Sequence, residues 1–361
     1  MKVGDKILQI RKDHRVSKLQ FSKLVDVNRI TLEKIEKNQV PPSFKVIESL
    51  CRHYGIPISY FDPTEVDLSS VVYRSSKPIK LPARDYQKVI HAIKAYLLLE
   101  NLVGVSPRKE FPFSYPVHEL NPIMISHAAK ICRNVLGITV APILNLYDLL
   151  ENMGIHIISL ELSDESIDGF SVVIQAQGIF FFLNKYITDE RKIFTLAHEL
   201  GHLVCNRDAY YFSIEKGITD LDREDHADES NERIADSFAA VFLMPSEYIH
   251  HLIKNLNIRR EDWDLNLIQE LKTRLNVSAE SLLNRIFNME IIPRSTWEAI
   301  RKEILNYYKK NNNAEPGSEH AVSGNTVMNQ RFSNLAYLAG KRKSGKELKK
   351  ILTLFPEKIV L

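Results

Sequence analysis

The spacing of apolar positions divides the chain into regions of different character. Over residues 1–62 it predicts four short helices. The first runs from Asp5 to Asp13 with Ile7, Leu8 and Ile10 on its apolar side, and the second from the N-cap Ser17 to about Val25. After a turn at Asp26 to Asn28, a third covers Arg29 to Lys37 with Ile30 and Ile35 available for packing. Asn38 and Pro41-Pro42 close it, because proline lacks the N–H a helix needs, and a fourth helix covers Ser43 to Tyr54. From Asp62 to Pro122, prolines break up most order. The exception is Asp85 to Asn101, where Ile90, Ile93, Tyr96 and Leu97 form the apolar side of a helix that must find a partner surface, by domain docking or in a homodimer. Regular order resumes with a helix from Ser126 to Leu136, a second from Pro142 to just before Gly154, and the β-prone run IHIISLEL. The two β-prone halves of GFSVVIQAQGIFFFLN, separated at Ala176-Gln177-Gly178, predict a hairpin. Further helices are expected over Asn231 to Leu243, Leu265 to Asn276 and Ala279 to Phe287. The polar run from Lys309 to Asn325 reads as a flexible linker before a small, lysine-rich helical tail.

Composition narrows the class. With 361 residues, 44% of them hydrophobic, the chain can bury two or three cores. No secretory h-region and no long uncharged apolar run is present, so a cytoplasmic protein without membrane partners is expected. Cys51, Cys132 and Cys205 form no CxxC pair and read as buried apolar residues. Charge is unevenly distributed. Residues 1–62 hold twelve Lys/Arg against seven Asp/Glu, whereas Glu215 to Asp236 holds nine acids against three bases. The first region suits phosphates and the second suits cations.

The segment FTLAHELGHLV places His198 and His202 four apart, so a helix offers both imidazoles to one metal ion. Glu199 between them is placed to take a proton from a water that zinc has made more acidic, readying it to attack a peptide carbonyl. Gly201 leaves room for a second backbone to come close. An HExxH string also arises by chance. Its position on a helix, after a hairpin and upstream of a third ligand, argues for function. That third ligand is Glu232, which shares a stripe with Ala235, Asp236 and Ala239. A carboxylate facing inward needs a metal or a partner, which zinc at Glu232 and a histidine ring nitrogen at Asp236 would supply. The alternative is a helix rotated so that both acids are solvated. His226, Asp228 and Glu229 are further candidates, and Cys205 is read as packing rather than ligation.

Near the N-terminus, two short helices joined by a tight turn fit a helix-turn-helix, with Asn28, Arg29, Thr31, Glu33 and Lys34 on the start or outer side of the recognition helix and Lys18 near phosphate. A charged helical protein-interaction domain is the competing reading.

The segment SKLQFSKLVDVNRITLEKIEKNQVPPSFKVIESLCRHYGIPISYF resembles the XRE (Cro/phage-repressor-like) helix-turn-helix family, with Lys18 and Asp26 standing where that family usually has Gln and Gly. The segment IDGFSVVIQAQGIFFFLNKYITDERKIFTLAHELGHLV, with ERIADSFAAVFLMP, resembles the ImmA/IrrE metallopeptidases, with Asp236 where Asn is common. The resemblance implies zinc ligands at His198, His202 and Glu232 and a catalytic role for Glu199. It implies an α+β chain: an all-α helix-turn-helix domain at 1–62, a linker with one amphipathic helix at 63–122, a zincin-like peptidase domain at 123–290 with a small β-sheet beside the HExxH helix, and a helical C-terminal region at 291–361 containing the linker 309–325. The expected function is a transcriptional regulator that binds double-stranded DNA and whose zinc endopeptidase cleaves an XRE-type repressor, held by strand addition on an edge strand at Ile179 to Leu183. The alternative is a non-proteolytic regulator or antitoxin, with a cognate toxin as partner and the peptidase fold serving as sensor or scaffold.

Overall fold

The computed structural model describes residues 3–54, 72–74, 81–105, 111–174, 177–206, 226–311, 314–316, 329–342 and 345–357. Most of the expected linker 309–325 and the acidic stretch from Glu215 to Asp225 lie outside these residues. The chain divides into two units, Met1–Leu68 and Ser69–Leu361.

The first unit is helical: α1 (Val3–Asp13), α2 (Lys18–Leu24), α3 (Arg29–Glu36) and α4 (Phe44–Tyr54). Ser17 caps α2 as the sequence predicts, and Gln20 completes a reciprocal capping box with it. Asp26 makes the turn before α3 with φ 52°, a left-handed conformation that Asp tolerates better than most side chains, so no glycine is needed there. Ile7, Phe21, Leu32 and Leu50 are fully buried in the core. Glu36 is buried as well, and Arg11 of α1 satisfies it with hydrogen bonds of 2.5 and 3.1 Å to its two oxygens. The expectation that Ile30 packs inward is overturned, because it is 69% exposed. Helical spacing turns Leu32, Ile35 and Glu36 to the core and leaves Ile30 on the outer face with Lys34.

In the second unit, β1 (Val72–Arg74), β2 (Ile155–Leu160), β3 (Gly169–Ile174) and β4 (Gly178–Asn184) form one sheet in the order β1-β3-β4-β2. The hairpin β3-β4 is antiparallel, β2 runs parallel to β4, and β1 runs antiparallel to β3. Ile179 to Leu183 is therefore not an edge strand, since β3 and β2 take both sides of its backbone. Strand alternation gives the sheet two apolar faces. Ile155, Ile157, Val173, Ile179, Phe181 and Leu183 join the core containing α6 (Pro122–Val135), α7 (Leu146–Asn152), α8 (Asp189–Cys205) and α9 (His226–Leu243). That core continues through α10 (Ser246–Leu256), α11 (Leu265–Leu275), α12 (Ala279–Asn288) and α13 (Arg294–Lys310). Helix α7 begins later than predicted because Asn145 caps it, its Oδ1 accepting from the N–H of Asp148. Helix α10 was not anticipated, and α13 falls in the C-terminal region expected to be helical.

The other face is covered by α5 (Ala83–Val103), which packs with β2, α14 (Gln330–Arg342) and α15 (Gly345–Leu354). There Tyr96 lies edge-on against both His156 and Phe332, and His156 stacks on Phe180. The apolar side of α5 is thus buried within the chain and is not free to form a dimer. His156 is fully buried between the Ile179 carbonyl at 3.0 Å and Glu100 Oε1 at 3.1 Å, and Arg331 donates to the same Glu100 oxygen at 2.8 Å. One carboxylate thus ties His156 to Arg331, far apart in sequence.

Gly169 sets the fit of this sheet against α8. A Cβ there would lie 2.5 Å from the Phe182 carbonyl oxygen and 2.7 Å from Thr195 Cγ2, so backbone would have to move. Gly169→Ala is expected to lose about 1–3 kcal/mol of stability through overpacking, read as a lower urea midpoint with an unchanged m-value.

Candidate metal centre and nucleic-acid interface

Helix α8 begins at Thr188, whose hydroxyl accepts from the N–H of Arg191, with Asp189 and Glu190 complementing the helix dipole. Its register turns His198 and His202 toward α9. A Cβ on Gly201 would lie 3.1 Å from Ala235 Cα, Ala235 O and Phe238 Cδ1, so the missing side chain lets the two backbones approach. Buried Ala235 and Ala239 line the α9 side, and the approach brings Glu232 to the histidines.

Among the described residues, His198, His202 and Glu232 converge as metal-type ligands, with ligand atoms within 4.8 Å of one another. The two Nε2 atoms are 3.0 Å apart, and each is 3.1 Å from a Glu232 oxygen. Ligand atoms bonded at about 2.0–2.1 Å around a tetrahedral ion are about 3.3 Å apart, so the cluster needs little adjustment to hold one. His198 Nδ1 lies 2.8 Å from Asp236 Oδ1. The expectation that both acids face inward holds only for Glu232, because the Asp236 side chain is 59% exposed and reaches the ring from the rim.

Burial disfavours charge on the His198 ring, but hydrogen bonds to Asp236 and Glu232 outweigh it and raise the pKa to about 10. Burial likewise pushes the Glu232 carboxyl up, and the two histidines draw it down to about 2. Glu199 is buried beside the cluster, and burial raises its pKa despite the nearby imidazoles. Ser171 on β3 donates its hydroxyl to Glu199 Oε2, fixing that carboxylate from the sheet side. Sequence reasoning missed Ser171, although a hydroxyl at an inward position of GFSVVI was a visible signal. Cys205 is buried and lies outside the cluster, its thiol pushed up to about 12 by burial. The side chains of His226 and Asp228 lie outside the described residues, and Glu229 is exposed.

In the first unit, Arg29 and Lys34 are exposed on α3 and Thr31 is partly exposed. Asn28 caps α3, its Oδ1 accepting from the N–H of Thr31 at 2.7 Å, so that oxygen serves the helix start. Lys18 lies 3.8 Å and Lys37 3.0 Å from Glu33, whose pKa is lowered chiefly by the Lys37 hydrogen bond. Exposed Ile30 adds an apolar contact to this face that the sequence reading had assigned to the core.

Comparison with protein families matches residues 150–287 to the IrrE N-terminal-like domain and residues 7–61 to Helix-turn-helix. Comparison with curated proteins gives no match. Among solved structures, a Mycobacterium tuberculosis transcriptional regulator is similar at 16% identity and a TM-score of 0.33, over 54% of this chain and 51% of that one. The chain spans about half of that protein's length, and the likeness is too slight to bear on the fold. No helix among the described residues is long and apolar enough to cross a membrane. Residues 7–61 thus match an XRE-type helix-turn-helix and residues 150–287 an IrrE/ImmA-like domain, joined in one chain.

Proposed function

We propose that this chain is a DNA-binding transcriptional regulator whose second unit is a zinc-dependent metallopeptidase acting on another DNA-binding protein, with an XRE-type repressor as the favoured substrate. The convergence of His198, His202 and Glu232 beside the buried Glu199 carries this reading. A zinc ion held there would polarise a water molecule and the scissile carbonyl. The chain's residues supply the rest. Glu199, its Oε2 held by Ser171, accepts a proton at its other oxygen and returns it to the leaving amine. Asp236 accepts a hydrogen bond from His198 Nδ1–H, which fixes the tautomer whose Nε2 faces the ion. A raised carboxyl pKa makes Glu199 a stronger proton acceptor than a solvated glutamate.

Glu199→Gln is expected to keep one zinc per chain and lower proteolysis of an XRE-type repressor substrate by at least about 100-fold, whereas Glu232→Ala loses stoichiometric zinc. Metal analysis alongside a cleavage assay checks both. Unchanged cleavage by Glu199→Gln would sink the peptidase reading. The presence of a DNA-binding module favours a second reading, a regulator or antitoxin that binds a cognate toxin without cutting it. Normal operator control by Glu199→Gln, with no proteolysis by the native chain, would select it.

For the first unit, exposed Arg29 beside the start of α3 is assigned a DNA contact, with Lys18, Asn28, Thr31 and Lys34 around it. Arg29→Ala is expected to weaken operator binding. If Arg29 contacts phosphate, the slope of log K against log salt also falls by about one, and if it reads a base edge the loss is operator-specific. Fluorescence anisotropy on operator and scrambled duplexes at several salt concentrations separates these outcomes, and an unchanged affinity on both refutes the assignment.

A further inference from the structure

The strand β1 comes from outside the matched peptidase region. Residues 150–287 contain β2, β3 and β4, and in that set the outer side of β3 is a free sheet edge. In the whole chain, Val72–Arg74 fills this edge antiparallel, pairing Val72 with Val173, Tyr73 with Val172 and Arg74 with Ser171. Ser171 is the residue whose hydroxyl holds Glu199. The backbone of β1 therefore runs about 4.8 Å, one strand spacing, from the residue that orients the proposed proton acceptor. Neither side of β4 is open, and the outer side of β2 lies two strands further from Ser171, with Asn329 Oδ1 accepting the Ser159 N–H at 3.0 Å. The outer edge of β3 is thus the place where an added peptide strand would lie closest to Glu199.

We propose that Val72–Arg74 is an intramolecular occupant of the peptide-binding edge of β3, and that a substrate binds as an extended strand only by displacing it. The proposal rests on the peptidase reading insofar as that edge receives a peptide. A strand of three residues makes few ladder bonds, so it exchanges readily, yet a tethered segment competes at an effective concentration of about millimolar. The device holds the site closed toward casual peptides. It yields to a partner that pairs over a longer stretch, or to a change in the upstream unit that withdraws the strand.

The test uses the full chain, zinc-loaded and carrying Glu199→Gln so that nothing is cut. The probe is a fluorescent peptide SSVVYRSSK, residues 69–77. Alternate residues of an antiparallel strand donate to the neighbour, so Val72→Pro with Tyr73→Pro removes a donor to β3 whichever residue faces it. The double variant is expected to bind the peptide at least ten times more tightly than the chain with its native strand, and its amides at Ser171–Val173 are expected to exchange faster until peptide is added. Equal or absent binding by both chains overturns the proposal. If the prolines cost zinc or helicity, Val72→Gly with Tyr73→Gly replaces them, with the same expectation and the same refutation. Binding is read without turnover, so tighter binding by the strand-released variant, together with no cleavage by the otherwise identical Glu199 chain, leaves the proposal standing and the peptidase reading fallen. Cleavage by the Glu199 chain, with peptide affinity and cleavage rate both indifferent to strand release, gives the reverse.

Discussion

Helices α8 and α9 touch backbone to backbone at Gly201 and Ala235, and the metal centre depends on that contact. A Cβ on Gly201 would sit 3.1 Å from the α9 main chain, closer than almost any real side chain tolerates. Glycine in a helix interior costs about 1 kcal/mol relative to alanine, a cost the fold accepts in return for the short interaxial distance. At a wider spacing, Glu232 could not bring its two oxygens to 3.1 Å from both imidazoles. The apolar residues Ile234, Phe238 and Phe242 bury the rest of α9 and fix its rotation, which leaves Asp236 at the rim, where it meets His198 from the solvent side.

The cluster this contact creates is electrostatically coupled. Each carboxylate offsets the burial cost of an imidazole, and each imidazole lowers the pKa of Glu232. Ligation requires a neutral His198 ring with a free Nε2, which the Nδ1 hydrogen bond to Asp236 favours.

Most of the local pattern was legible in the sequence because it follows from short-range chemistry: the N-cap at Ser17, the turn at Asp26, the hairpin and the HExxH spacing. What the sequence did not reveal are the long-range polar ties. Arg133 donates to the carbonyls of Thr139, Ala141 and Phe242, joining α6 to the end of α9. Lys272 is buried between Glu190, at 3.0 Å, and Glu315, at 3.4 Å, anchoring the start of α8 to α11. A lysine or arginine in a helical pattern reads as solvent-facing until its partner on another element is known. Ile30 failed for the converse reason, since an apolar residue reads as core unless function places it outside. The edge strand was misassigned because periodicity identifies a strand but not its neighbours.

Register in the sheet ties the two faces together. Ser171 points toward α8 and Glu199, whereas His156 points the other way, to Glu100 and Arg331 under α5 and α14. Side chains alternate with a period of two, so a one-residue slip of β3 against β4 would turn Ser171 away from Glu199. The same slip in β2 would drive a histidine into an apolar core and strand the Glu100 carboxylate without its partner. Buried polar groups carry a steep penalty when unpaired, so the His156 network makes each slipped arrangement costly even where the apolar packing would survive. Sheet register, and with it the aim of Ser171 at the site, is therefore guarded from the face opposite the metal centre. That link makes the C-terminal helices part of the architecture that positions Glu199 rather than an appendage to it.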